Sequence, residues 1–122
     1  MMAEYVKFSV PKELAERCLG LVEKARKGGK LRIGSNEVTK AIERQKAKLV
    51  VMAEDVSPPE IMMHLPLLCA EKNVPFGFVP TRKELGEKSG IGVSTTAVAI
   101  AEEGDAKKEL DDVVKKLSEL RK

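Results

Sequence analysis

Apolar positions recur with a helical period in some stretches of this chain and run unbroken in others, and that alternation predicts its elements. In "VPKELAERCLGLVEKARKGG" Leu14, Cys18, Leu21, Val22 and Ala25 share one stripe, which stops at Gly28-Gly29 and marks a first helix. A short extended "KLRIG" follows. Ser35 is then placed to cap a second helix whose buried side carries Val38, Ala41 and Ile42, so that Asn36 and Lys40 occupy a different face. "KLVVMAED" is a nearly continuous apolar run, the pattern of a strand buried on both faces, and it ends in acids before Pro58-Pro59. A third helix is expected over "PEIMMHLPLLCAEKN", kinked or locally broken at Pro66. "VPFGFV" reads as a strand, "TRKELGEKSG" as a short helix and "TAVAIAEE" as a strand. The closing "DAKKELDDVVKKLSELRK" reads as a helix with Leu110, Val113, Val114, Leu117 and Leu120 on one face. Alternating helices and strands imply an α/β fold, a three-layer α/β/α sandwich around a central mixed sheet of about four strands.

Length and composition narrow the picture further. At 122 residues the chain fits one domain, spanning residues 1–122, with a core that needs no staples. Apolar residues make up 43% and charged residues 34%, which suits a soluble globular domain. Cys18 and Cys69 lie far apart and form no CxxC pair, so neither a zinc site nor a disulfide framework is expected, and an intracellular setting in the cytoplasm is. The start shows no basic n-region followed by an apolar h-region, and no apolar run reaches membrane length, so neither secretion nor membrane insertion is expected. The net charge of +3 is unevenly spread: residues 1–48 carry 12 Lys and Arg against 6 Asp and Glu, and residues 49–122 carry 10 against 13. The basic excess concentrates in residues 24–48, a patch suited to phosphates or simply to water.

Most familiar chemistries are absent from the sequence. There is no GxxxxGK[ST] phosphate loop, and "GIGVST" at 90–95 offers only GxG without the strand, helix and ribose-binding acid of a dinucleotide site. His64 sits alone in the apolar third helix. Glu54 and Asp55 end a strand, a frequent place for chemistry in α/β folds, yet an acid pair there also serves as a cap or a solvated surface. Cys18 and Cys69 fall on apolar faces, where packing outweighs reactivity. No catalytic residue, cofactor or metal follows from these positions. Aromatics are only 3% of the chain, so a sheet that stacks bases on paired rings is poorly supported.

Polar base reading has a better candidate. Asn36, Glu37 and Lys40 cluster on the first turn of the second helix, beside backbone N–H groups that the helix start leaves free for phosphate. Glu37 can accept from guanine N1–H and N2–H, while Lys40 and Asn36 can donate to O6 or N7. A-form RNA hides those edges, so the target would be a distorted site such as tandem sheared G·A pairs at a bend. The same residues equally make an ordinary helix start, with Ser35 as cap, Glu37 on the positive end and a Glu37–Lys40 ion pair. Ile91 and Val93, among glycines and hydroxyls, either anchor a loop to the core or form an apolar lid for an unstacked base.

Almost the whole chain resembles the archaeal and eukaryotic kink-turn RNA-binding family, through "GSNEVTKAIER", which is similar to that family's G-x-N-E-x-T-K-x-x-x-R signature, "KLVVMAEDVSPPEI", "HLPLLC" and "LGEKSGIGVSTTAVAI". The resemblance, in particular to the family's archaeal large-subunit ribosomal members, implies an α/β/α sandwich without catalysis that recognises kink-turns and kink-loops. By the same resemblance, Gly34 and Ser35 approach the RNA backbone, Asn36, Glu37 and Lys40 read the paired bases, and Thr39 and Arg44 support them. Ile61 and Ile91-Gly92-Val93 enclose a flipped-out nucleotide, and Arg82 lies near the backbone. It further implies kink-turn RNA partners in ribosomal RNA, box C/D and H/ACA guide RNA and ribonuclease P RNA, other ribonucleoprotein subunits, and a free monomer. Ser57 stands where many relatives carry an acid, which weakens expected selectivity for the flipped base. Val93 stands where some eukaryotic relatives carry Arg, which implies broad tolerance of RNA sites. Two other classes remain in view: a protein-interaction adaptor using the 91–93 loop, and a small-molecule enzyme using Glu54 and Asp55.

Overall fold

The unbroken apolar run becomes β2 (Leu49–Ala53), buried at every position in the middle of a four-stranded sheet. The computed structural model describes residues 5–121. The remaining strands are β1 (Lys30–Ile33), β3 (Phe76–Val79) and β4 (Ala97–Glu102), in the order β1-β4-β2-β3. β3 runs parallel to β2, with Val51 opposite Gly77, whereas β4 runs antiparallel to β1 and to β2. Helices α1 (Lys12–Gly28), α4 (Arg82–Ser89) and α5 (Lys107–Arg121) pack together on one face. On the other face lie α2 (Ser35–Glu43) and α3 (His64–Glu71). This is the expected α/β sandwich with a mixed sheet.

The periodic stripes do what their spacing demands. Leu14, Cys18, Leu21, Val22 and Ala25 of α1 are buried, as are Leu110, Val113 and Leu117 of α5. Leu117 seats on Gly77 of β3, where a Cβ would come within 2.9 Å of its methyl. Leu120, expected on the same buried face, is exposed; it lies one turn beyond that seat and lines an open groove with Pro11 and Leu14. All four aromatic rings, Tyr5, Phe8, Phe76 and Phe78, are buried and lie against one another, with centroids as close as 5.3 Å, so none is presented for base stacking.

One element differs from its expectation. The stretch 59–73 is not one kinked helix but a 3-10 turn (Pro59–Met62) followed by α3, and the break falls at Met63. Pro66 is then the third residue of α3, where a backbone N–H has no acceptor inside the helix, so the ring causes no kink.

The loop that leaves β2 is tied down by Tyr5. Its hydroxyl donates to the Ala53 carbonyl at 2.6 Å and accepts from the Val56 N–H at 3.2 Å, both buried. Tyr5→Phe strands both backbone groups and is expected to lower stability by about 1–3 kcal/mol, read by urea unfolding. A loss under a few tenths would show that water replaces the hydroxyl.

Charge that is separated along the chain is interleaved in space. Arg17 pairs with Asp112 at 2.6 Å, Lys48 with Glu103 at 2.6 Å and Lys30 with Glu102 at 3.4 Å, and Lys24 pairs with Glu109. The acids of the second half therefore neutralise part of the first. Exposed pairs of this kind contribute at most about 1 kcal/mol each. Among the described residues of the first half, Lys7, Lys12, Arg26, Lys27, Arg32, Lys40, Arg44 and Lys46 carry no ion pair, and four of these, Arg32, Lys40, Arg44 and Lys46, lie on β1, along α2 and just beyond it. No helix among the described residues is long and apolar enough to cross a membrane.

Candidate nucleic-acid interface

The first turn of α2 is built by a glycine. Gly34, not Ser35, is the residue that caps the helix: it has φ +95°, it offers no side chain, and Ser35 is the first helical residue. A left-handed φ is open to glycine and strained for other residues. The reason is positional, because the Gly34 N–H ends the β1–β4 pairing by donating to the Ala97 carbonyl at 2.8 Å, and the chain must turn there directly into a helix. A Cβ on Gly34 would meet nothing within 4 Å, so the space in front of it is open. Its carbonyl accepts the Val38 N–H at 2.9 Å, whereas the N–H groups of Ser35, Asn36 and Glu37 have no acceptor among the described residues.

The expected Glu37–Lys40 ion pair is not formed. Asn36, Glu37 and Lys40 are exposed, and none has a side-chain hydrogen bond or ion pair among the described residues. Three polar groups of complementary sign thus stand free beside three free N–H groups.

Other elements complete the surroundings. A surface cleft of about 420 Å³ is lined by Ile33, Gly34, Ser35, Asn36 and Glu37 together with Arg82, Ser94, Thr95 and Thr96. Arg82 is set by Asp55, whose Oδ1 accepts the Arg82 backbone N–H at 2.9 Å and lies 3.6 Å from its Nε. That occupies one of the two acids weighed as catalytic; burial raises the other, Glu54, above the ordinary carboxylate range. Ser94, Thr95 and Thr96 were not singled out from sequence, although the hydroxyl run before β4 was the available signal. Thr95 donates its N–H to the Arg82 carbonyl at 3.1 Å and closes this side of the cleft.

The remaining candidates do not line the cleft. Lys40 is one turn along α2 from Asn36, and Arg44 follows the last turn of α2, about 12 Å from Asn36 along the axis at 1.5 Å per residue. Ile61 in the 3-10 turn is 46% exposed, and Ile91 and Val93 are 39% and 67% exposed. Ile91 and Val93 therefore do not anchor their loop in the core. The loop is held instead by backbone: the Ile91 N–H donates to the Gly86 carbonyl at 3.3 Å, and the Val93 carbonyl lies where a Cβ on Gly86 would be. Gly92, at φ +74°, makes the turn between the two apolar residues.

His64 enters the site from outside the expected set. Its Nε2 lies 2.8 Å from Thr39 Oγ1, and Thr39 Oγ1 donates to the Ser35 carbonyl at 2.7 Å. Cys18 and Cys69 are both buried, and burial pushes the Cys18 thiol up to about 12. Alkylation by iodoacetamide at pH 8 is accordingly expected only after unfolding; rapid labelling of the native protein would contradict this packing.

Two comparisons bear on this arrangement. The model of the ribosomal protein L7Ae/L30e/S12e/Gadd45 family matches residues 16–110. Among solved structures, a Giardia lamblia 15.5kD RNA binding protein is similar over 98% of this chain and 99% of its own, with 32% sequence identity and a TM-score of 0.89.

Proposed function

Since the chain belongs to the ribosomal protein L7Ae/L30e/S12e/Gadd45 family, whose L7Ae members are RNA-binding ribosomal proteins and not enzymes, we propose that it binds kink-turn and kink-loop RNA. The observation that carries this reading is the first turn of α2, with Asn36, Glu37 and Lys40 exposed and unpaired beside open backbone N–H groups. The similar Giardia protein, named as RNA-binding, supports the broader part of it. Glu37 accepts from a guanine edge of the sheared G·A pairs, while Asn36 and Lys40 donate to their acceptors. Gly34, Ser35 and Arg82 face the RNA backbone, Thr39 and Arg44 support the reading turn, and Ile61 with Ile91, Gly92 and Val93 covers the flipped-out nucleotide. The chain acts as one RNA-binding domain without a cofactor.

The mechanism follows from differential binding. A protein that fits the bent conformer better than the open one favours the bend by the difference in the two binding free energies. Such a clamp nucleates assembly rather than performing chemistry, and its clients are large-subunit ribosomal RNA, box C/D and H/ACA guide RNAs and ribonuclease P RNA in an archaeal-type cytoplasm. Ser57, exposed in place of an acid, leaves the flipped base loosely specified.

The test is a titration of a kink-turn RNA carrying dyes on its two arms, against a control with both G·A pairs replaced by Watson–Crick pairs, at matched salt. Tight binding with arm closure only for the intact RNA is expected; equal weak binding to both would reduce α2 to a basic surface. Arg44→Ala is expected to weaken both RNAs alike and to lower the salt-dependence slope by about one. A loss confined to the kinked RNA would instead make Arg44 a base reader. The exposure of Ile91 and Val93 also fits a peptide-binding patch. Val93→Ser separates the two, because only the RNA reading ties it to kink-turn affinity.

A further inference from the structure

We propose that His64 is a positioning residue for this site, bracing the first turn of α2 through the hydroxyl of Thr39, an inference that rests on the RNA-binding reading above. The direction of the bonds decides the matter. Thr39 Oγ1 has a single proton and two neighbours, the Ser35 carbonyl oxygen at 2.7 Å and His64 Nε2 at 2.8 Å. A carbonyl only accepts, so a 2.7 Å oxygen–oxygen contact is favourable only when the hydroxyl proton points at Ser35. The imidazole must then be the donor, with its proton on Nε2, and the chain of bonds runs from His64 to Thr39 to Ser35.

The brace acts on a real degree of freedom. A helical threonine divides its population between two χ1 rotamers, of which one reaches back to the carbonyl four residues earlier. Donation from His64 selects that one and fixes the Ser35 peptide, which precedes Asn36 and Glu37 directly. His64 is also the first residue of α3, joined through Met63 to the 3-10 turn that carries Ile61. The bond therefore sets the spacing between the polar residues on α2 and the apolar residue proposed to cover the flipped nucleotide. His64 is exposed, so its hydrogen bond is not required to satisfy a buried polar atom.

Four proteins test it against the same kinked and Watson–Crick RNAs: His64→Leu, His64→Gln, Thr39→Val and the double variant His64→Leu/Thr39→Val. His64→Leu and Thr39→Val are each expected to raise Kd for the kinked RNA by about 2- to 10-fold with little change on the control. The double variant is expected to be no worse than the poorer single, because both break one chain of bonds. His64→Gln, whose amide nitrogen can take the place of Nε2, is expected to stay within about twofold of the parent. Nitrogen-15 NMR of the free protein at pH 8 should show the Nε2–H tautomer. An Nδ1–H tautomer, a His64→Gln as poor as His64→Leu, or additive losses in the double variant would overturn the brace. If the parent discriminates the two RNAs and His64→Leu does so equally well, the brace alone falls; if the parent does not discriminate, the RNA reading falls and the brace with it.

Discussion

Glu37→Ala is expected to weaken binding to a kink-turn RNA by about 1–3 kcal/mol, roughly 5- to 150-fold, while strengthening binding to the Watson–Crick control slightly. Opposite signs on the two RNAs follow from what the carboxylate does in each. Toward any RNA it is a negative charge among phosphates, and its removal favours association through the long-range field. Toward an exposed guanine edge it is the one group on this turn with two oxygens to accept from N1–H and N2–H, and its removal leaves those donors unpaired in the interface. The second effect is the larger because the first is screened over about 8–10 Å at ordinary salt. Glu37→Gln sharpens the test: it keeps one acceptor and turns a donor toward the other guanine donor, so it should fall close to alanine. Fold stability should change by no more than about 1 kcal/mol, the contribution of an exposed carboxylate at a helix N-terminus. If Glu37→Ala instead improves both RNAs by the same factor, Glu37 is only a helix-end charge.

The part of this architecture that the sequence makes legible is the part written in local periods. The α1 stripe ending at Gly28-Gly29, the fully apolar β2 run and the Leu110, Val113 and Leu117 face of α5 all appear where their spacing puts them. The α2 helix was also legible, but its cap was misassigned by one residue. Ser35 has the right chemistry to cap, yet the β1–β4 pairing runs up to Gly34 and forces the turn there, a constraint that comes from Ala97, far along the chain in β4. Pro66, whose ring removes an N–H, predicts a kink or a local break; the break falls three residues earlier, at Met63, and with the helix starting at His64 the missing N–H costs nothing.

The long-range partners of the site carry no local signal. Asp55 reaches Arg82, His64 reaches Thr39, and Ser94 to Thr96 meet α2 only because β4 pairs beside β1. The charge pattern shows the same limitation from the other side. The sequence carries its basic excess in the first half and its acids in the second, as two separate stretches. Folding instead pairs Arg17, Lys24, Lys30 and Lys48 with acids of the second half and leaves Lys7, Lys12, Arg26, Lys27, Arg32, Lys40, Arg44 and Lys46 without an ion pair. Four of the unpaired cations, Arg32, Lys40, Arg44 and Lys46, lie on and around the helix that holds the polar reading turn, and the sum over residues 24–48 overstated the free charge because Lys24, Lys30 and Lys48 are paired.

Gly86→Ala is expected to destabilise the protein by about 1–3 kcal/mol and to displace the 91–93 loop, although alanine is the better helix former. Gly86 lies inside α4, and a Cβ there would sit 1.8 Å from the Val93 carbonyl oxygen and 3.0 Å from Ser94 Cα. Both are backbone atoms, so no rotamer change relieves the clash; either the loop lifts from α4 or the helix shifts against its buried Leu85. Gly20 in α1 provides the opposite case on the same fold, since a Cβ there meets nothing within 4 Å. Gly20→Ala should therefore gain up to about 1 kcal/mol from helix propensity alone. Urea unfolding of the two variants gives the sign directly, and the loop displacement is read separately on kink-turn RNA. Gly86→Ala should weaken that RNA beyond what its stability loss explains, because Ile91 and Val93 are exposed only as the backbone of the loop presents them. Equal stabilisation by both alanines would mean that Val93 does not rest on α4, and the apolar cover would lose the support that fixes it over the flipped base.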